Sequence, residues 1–167
     1  RADLLQRAGQ YPPPPGAPPY LGLEMAGVVV TVGSRAGQWQ PGDRVCALLA
    51  GGGYAESVAV HHQLLFRLPE TWDFARAAAV PEVFYTAFAN LFLEAQAQPG
   101  EVVLIHGGAS GVGTAAIQLA RQAGCRVLTT AGSQAKLECC ARLGAELTVN
   151  HRERGFAEAV LEHCEAV

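Results

Sequence analysis

The sequence predicts an α/β protein in which a β-rich segment precedes a doubly wound parallel sheet. Residues 101–167 alternate apolar or β-branched runs with helical patterns in the order β-α-β-α-β-α, the rhythm of parallel strands joined by crossover helices. Residues 20–68 carry β-branched runs punctuated by Gly and Pro, without helical periodicity. Near Leu68-Pro69 the texture changes, and Ala, Leu and Phe dominate residues 73–96.

The elements follow in order. Residues 1–19 start polar and become proline-rich from Tyr11 to Pro19, which favours an extended polyproline conformation. Such a run either serves a Pro-recognising domain or packs as a rigid loop on its own domain. Its shortness and its direct junction with folded-looking sequence favour the loop. Val28–Val32 reads as a strand ended by Gly33-Ser34. Pro41-Gly42-Asp43 is a turn, Val45–Ala50 an apolar strand, and Tyr54–Val60 a further strand after three glycines. Pro81 divides two short helices within 73–96, and Pro99-Gly100 closes the second.

Val102–Ile105 is uninterrupted and apolar, as a strand buried on both faces requires. A helix is expected from about Gly111 to Ala123, with Val112, Ala116, Leu119 and Ala123 on one face and Gly124 at its C-terminal cap. Arg126–Thr130 is the next strand. Ser133 can cap a helix that ends before Gly144. Leu147–Val149 is the last strand, and 153–164 the last helix.

Composition limits the function. Of 167 residues 50% are hydrophobic and 16% charged, enough to bury a core and too few charges for disorder. A net charge of −3 provides neither a basic stripe for nucleic acid nor a polybasic membrane anchor. No apolar run is long enough to span a bilayer, and no signal-peptide pattern opens the chain. A cytoplasmic protein that binds neither nucleic acid nor membrane is expected. The absent initiator Met suggests a start upstream of Arg1. The five cysteines form no C-x-x-C pair, and reduced, buried thiols are expected rather than a metal site.

The sharpest motif is His106-Gly107-Gly108-Ala109-Ser110-Gly111-Val112-Gly113, between a buried strand and an amphipathic helix. Small residues let the backbone approach a pyrophosphate, and the helix N-terminus offers free N–H groups and a positive dipole end. The spacing is G-x-x-G-x-G, and the alternative is a tight structural turn. The strand–turn–helix context favours dinucleotide binding through Gly108, Ser110, Gly111, Val112 and Gly113. Where an acid at the end of the second strand would bond the ribose hydroxyls of NAD, the sequence reads Thr130-Ala131-Gly132-Ser133-Gln134-Ala135-Lys136. Gly132, Ser133 and Lys136 therefore point to the 2′-phosphate of NADPH. The alternatives are a helix N-cap for Ser133 and a solvated Lys136.

Three stretches together resemble the zinc-free quinone oxidoreductases of the medium-chain dehydrogenase/reductase superfamily: Arg1–Tyr11 (RADLLQRAGQY), Leu21–Gly33 (LGLEMAGVVVTVG) and Ile105–Lys136. The resemblance covers essentially the whole chain. It implies a partial GroES-like β-barrel over 1–72, linking helices over 73–98, and the first half of a Rossmann NADP-binding sheet over 99–167. It also implies that further barrel strands precede Arg1 and a second sheet half follows Val167, so that the chain is an internal fragment of a homodimeric parent. An incomplete barrel exposes strand edges, which predicts aggregation or partner-seeking.

Zinc-dependent members carry G-H-E where this chain has Gly22-Leu23-Glu24, and leucine ligates no metal. His61-His62 is read as a surface pair. The resemblance further implies NADPH-dependent reduction of a small-molecule quinone. Tyr11 would orient the acceptor oxygen, the alternative being a ring packed on the proline loop. Thr86 would lie beside the nicotinamide, the alternative being an ordinary helix residue. His151, where the family often has Tyr, would contact the cofactor phosphate or stand exposed at a strand end. Reduction of an activated alkene, as in enoyl reductases, and non-catalytic NADPH binding are the competing functions.

Overall fold

A computed structural model describes residues 1–153 and 155–165. The chain divides into two compact units, Arg1–Glu82 and Val83–Val167.

In the first unit, α1 (Ala2–Arg7) is followed by β1 (Glu24–Val28), β2 (Arg44–Leu48) and β3 (Phe66–Arg67). The strands form an antiparallel sheet in the order β1-β2-β3. α2 (Phe74–Ala78) begins at Asp73, whose carboxylate accepts from Arg76 N at 2.6 Å, an ordinary N-cap. Cys46, Leu68 and Ala77 form a small core with Ala26 and Trp72 against it. Asp43 is buried, and Arg67 grips its two oxygens at 2.5 and 3.1 Å. Arg67 and the Gln40 N–H together hold the Asp43 carboxyl below its ordinary range.

Two strand expectations are corrected here. β1 begins at Glu24 and ends at Val28 rather than running from Val28 to Val32. Val29 still exchanges backbone bonds with Gly42 and Asp43, both 2.9 Å, but Val30 is 71% exposed. The expected strand Tyr54–Val60 joins no ladder, and its first three residues bend. Residues 24–33 and 55–60 instead line a groove of about 740 Å³. Alternation marks a chain able to become a strand, and a facing backbone decides whether it does.

The second unit is more regular. α3 (Pro81–Phe88) straddles the boundary, with Pro81 at its start where the missing N–H costs nothing. A single wide π turn, Ala89–Glu94, continues it. Then come β4 (Val102–Ile105), α4 (Gly111–Gln122), β5 (Arg126–Ala131), α5 (Gln134–Leu143), β6 (Leu147–Asn150) and α6 (Phe156–Glu165). The parallel order is β4-β5-β6. α6 starts later than expected; residue 154, within the expected helix, lies outside the described residues. Gly124 (φ +82°) and Gly144 (φ +107°) end α4 and α5 in the left-handed region, which glycine enters without a Cβ clash.

The buried face of α4 is Gly113, Ala115, Ala116, Ile117 and Ala120. That differs from the expected Val112-Ala116-Leu119-Ala123 face: Val112 is 38% exposed, and Leu119 and Ala123 only flank the core. Small residues on the buried face bring the helix close to the sheet, against Ile105 and Val127. All five cysteines are free thiols; Cys46, Cys125 and Cys140 are buried, Cys139 is half-buried, and Cys164 is exposed, contrary to expectation. Burial pushes the Cys46 and Cys140 thiols up.

Candidate functional site

The glycine turn sits at the carboxyl end of β4, where ligands of open α/β sheets bind. Its conformation is locked by β5. Gly108 N donates to Thr130 O at 3.0 Å, and Thr130 Oγ1 lies 3.3 Å from Gly107 N and 3.2 Å from His106 Nδ1. Thr129, fully buried, donates from Oγ1 to Ile105 O at 2.6 Å. The His106 ring meets Phe156 edge-on at 4.7 Å. These threonines were not singled out in the sequence. Their signal was there: two hydroxyl residues at the end of a strand that a buried position would fill with aliphatics.

The glycines are required by space. A Cβ on Gly113 would overlap Gly107 O and the Gly108 backbone, and one on Gly108 would overlap Thr129 Oγ1. Ser110 is the N-cap of α4, its hydroxyl accepting from Gly113 N at 3.0 Å. The N–H groups of Gly111 and Val112 are left without a protein acceptor among the described residues, as expected in a first helical turn. Both residues are exposed. A backbone cradle that a Cβ would fill, with free donors at a helix N-terminus, fits a pyrophosphate.

The second cluster lies at the carboxyl ends of β5 and β6. Ser133 occupies the N-cap position of α5 but makes no side-chain cap, so the capping expected of its hydroxyl is not realised. Gly132 is half-buried, and Lys136 is exposed on the first turn of α5. His151 N donates to Ala131 O at 3.2 Å, and a Cβ on Gly132 would lie 3.3 Å from His151 Cε1. Gly132, Ser133 and His151 are thereby neighbours, and β5 ends in Ala131 without an acid.

Thr86 is half-buried in α3, its carbonyl accepting from Asn90 Nδ2 at 2.8 Å. Tyr11 belongs to the first unit, 47% exposed at the head of the proline-rich segment. In that unit Leu23 is buried, and the Glu24 carboxylate accepts from Glu82 N at 3.0 Å, at the start of α3. Burial raises the Glu24 pKa, with the Glu82 N–H partly opposing it. Among the described residues, no three His, Cys, Asp or Glu side chains are grouped to hold a metal ion. His61 and His62 stack on each other at 4.7 Å. Among the described residues no helix is long and apolar enough to cross a membrane.

Comparison with known proteins bears on both units. A family model described as alcohol dehydrogenase GroES-like domain matches residues 1–70, and one described as zinc-binding dehydrogenase matches residues 111–167. The chain belongs to the medium-chain dehydrogenase/reductase superfamily. The mouse quinone oxidoreductase is 37% identical over 92% of this chain and 47% of its own length. The solved Escherichia coli quinone oxidoreductase, complexed with NADPH, is 32% identical with a TM-score of 0.83, over 98% of this chain and 50% of that one. The CurK enoyl reductase is 37% identical with a TM-score of 0.80, over 87% of this chain and 44% of that one. The chain thus spans about half the length of the quinone oxidoreductases it matches. The superfamily accounts for the architecture: a GroES-like segment followed by a half Rossmann sheet.

Proposed function

We propose that this chain is part of a zinc-independent, NADPH-dependent quinone oxidoreductase. The observation that carries the reading is the glycine cradle between β4 and α4, joined to a β5 terminus that lacks the acid of NAD-binding sheets. The Gly111 and Val112 N–H groups and the α4 dipole would hold the pyrophosphate, with Gly108, Ser110 and Gly113 shaping the turn. Ser133, Lys136 and His151 would meet the 2′-phosphate. When bound, NADPH supplies a hydride.

What remains for the protein is mainly positioning. Thr86 would pack beside the nicotinamide and Tyr11 would orient the acceptor oxygen. Leu23 supplies no metal ligand, and quinones suit such a site. Reduction aromatises them, and the product phenolate is a weak base, with a phenol pKa of about 10. A simple aldehyde would need stronger stabilisation of its alkoxide. The CurK likeness favours a second reading, reduction of a conjugated alkene, which uses the same hydride. A cytoplasmic, homodimeric parent that binds neither nucleic acid nor membrane is part of the same proposal.

Calorimetric titration of the chain with NADPH and NADH, alongside turnover of an ortho-quinone and an enoyl thioester by the parent protein, tests the reading. NADPH-selective binding with quinone turnover is expected. Enoyl turnover without quinone turnover would select the second reading, and NADH preference would overturn the cofactor assignment.

A further inference from the structure

The turn after β6 brings to Gly132 a cation that the glycine spacing does not single out. Strand pairing fixes its place: Ala131 of β5 lies opposite Asn150 of β6. Asn150 then shapes the turn with both ends of its amide. Its Oδ1 accepts from Arg152 N at 3.2 Å, and its Nδ2 donates to Glu153 Oε1 at 2.6 Å. The neighbouring carboxylate is therefore engaged by Asn150. The Arg152 guanidinium has no ion-pair partner among the described residues. It lies over Gly132 instead: a Cβ there would stand 3.0 Å from Arg152 Nε and 3.4 Å from its Cζ. Across Gly132, α5 begins with an uncapped Ser133, no acid in its first turn, and Lys136.

We propose that Arg152 is a specificity-determining residue that reads the 2′-phosphate of the cofactor from the β6 side, as Lys136 does from the α5 side. This rests on the NADPH reading above. A guanidinium offers a planar fork that matches two phosphate oxygens, whereas an ammonium acts as a point charge. A phosphate monoester near Gly132 would meet both cations and the positive end of α5. The plain ribose hydroxyl of NADH carries no charge for Arg152 to pair with. The proximity of Arg152 also gives Gly132 a purpose, since a side chain there would crowd the guanidinium and the His151 ring.

The test is calorimetric titration of the chain with adenosine 2′,5′-bisphosphate and with 5′-AMP. Wild type, Arg152→Gln, Arg152→Lys and Lys136→Gln are compared, with circular dichroism as the folding control. Arg152→Gln is expected to weaken bisphosphate binding about tenfold or more, the scale of one hydrogen bond to a charged group, while 5′-AMP is unchanged. Arg152→Lys should fall between. A wild-type preference for the bisphosphate that Arg152→Gln leaves intact would overturn this role and leave the NADPH reading standing. Equal weakening of both ligands would likewise overturn it. No preference in the wild type would overturn the NADPH reading itself.

Discussion

The two units bury their sequence to very different extents. In the second, the cluster around Ile117, Val127 and Ile105 is backed by a fully paired central strand, β5, with neighbours on both sides. In the first, three buried residues form the core cluster, while Val28, Val30, Val32, Tyr54 and Phe66 stay exposed. Apolar content is similar to the eye in both halves. What differs is whether each extended segment has a backbone to pair with. A parallel βαβαβ run satisfies itself locally, because each crossover helix returns the chain to the adjacent strand. An antiparallel barrel segment depends on strands distant in sequence, and unpaired edges seek partners.

The largest expected effect sharpens that contrast. Ile117 is fully buried against the parallel sheet. Ile117→Ala should destabilise the second unit by about 2–5 kcal/mol, whereas Val30→Ala should change stability by less than about 0.5 kcal/mol. Denaturant unfolding followed by hydrogen exchange in each unit measures both. Equal losses would mean that Val30 is buried in solution, with the groove of the first unit filled.

Next in size is the glycine turn. Gly113→Ala forces a methyl into the Gly107–Gly108 backbone. The expected cost is about 1–3 kcal/mol, with loss of detectable NADPH binding. Thermal unfolding and calorimetry on the same samples read the two effects. Unchanged binding would show that the turn serves structure alone.

Lys136→Glu in the complete parent should weaken NADPH by about tenfold or more, on the scale of a lost charged hydrogen bond, and leave NADH nearly unchanged. Equal loss for both cofactors would remove Lys136 from 2′-phosphate recognition.

The smallest effect is a pH dependence confined to the second unit. Glu146 is gripped by Arg126 at 2.6 and 3.0 Å and lies 2.8 Å from His163 Nε2. Chiefly through Arg126, then His163, its carboxyl is lowered from 4.5 to about 2. A carboxyl depressed on folding stabilises above its unfolded pKa, and that contribution fades as pH falls toward the folded value. Stability should therefore drop between about pH 4.5 and pH 2, and Glu146→Gln should flatten the profile there. Exposure and salt screening keep the contribution small. A slope in the same window that survives Glu146→Gln would assign it to other carboxylates.

Much of the second unit was legible from the chain alone. The bounds of strand Val102–Ile105 match their expectation, although Val102 is 41% exposed rather than buried, and Gly124 and Gly144 end their helices as expected. Local rules suffice there, because each signal lies inside the element it specifies. The register of the α4 face was misjudged, since Val112 begins the helix beside the glycine turn, where no sheet covers it. The loss of Tyr54–Val60 as a strand was illegible for a different reason: alternation carries no information about a partner.

The candidate site divides the same way. The amino-acid order by itself determined the glycine turn, the missing acid after β5, and leucine in place of a metal ligand, because each is a choice of residue type at a local position. Only the tertiary structure decided that Thr129 and Thr130 lock the turn, and that Asn150 occupies Glu153 while Arg152 lies over Gly132. The Asn150–Glu153 bond is local to the turn after β6, but the threonine contacts join β5 to β4. The approach of Arg152 to Gly132 follows from the pairing of β5 with β6. These are segments about 20 residues apart in the chain, and parallel pairing alone brings their carboxyl ends together.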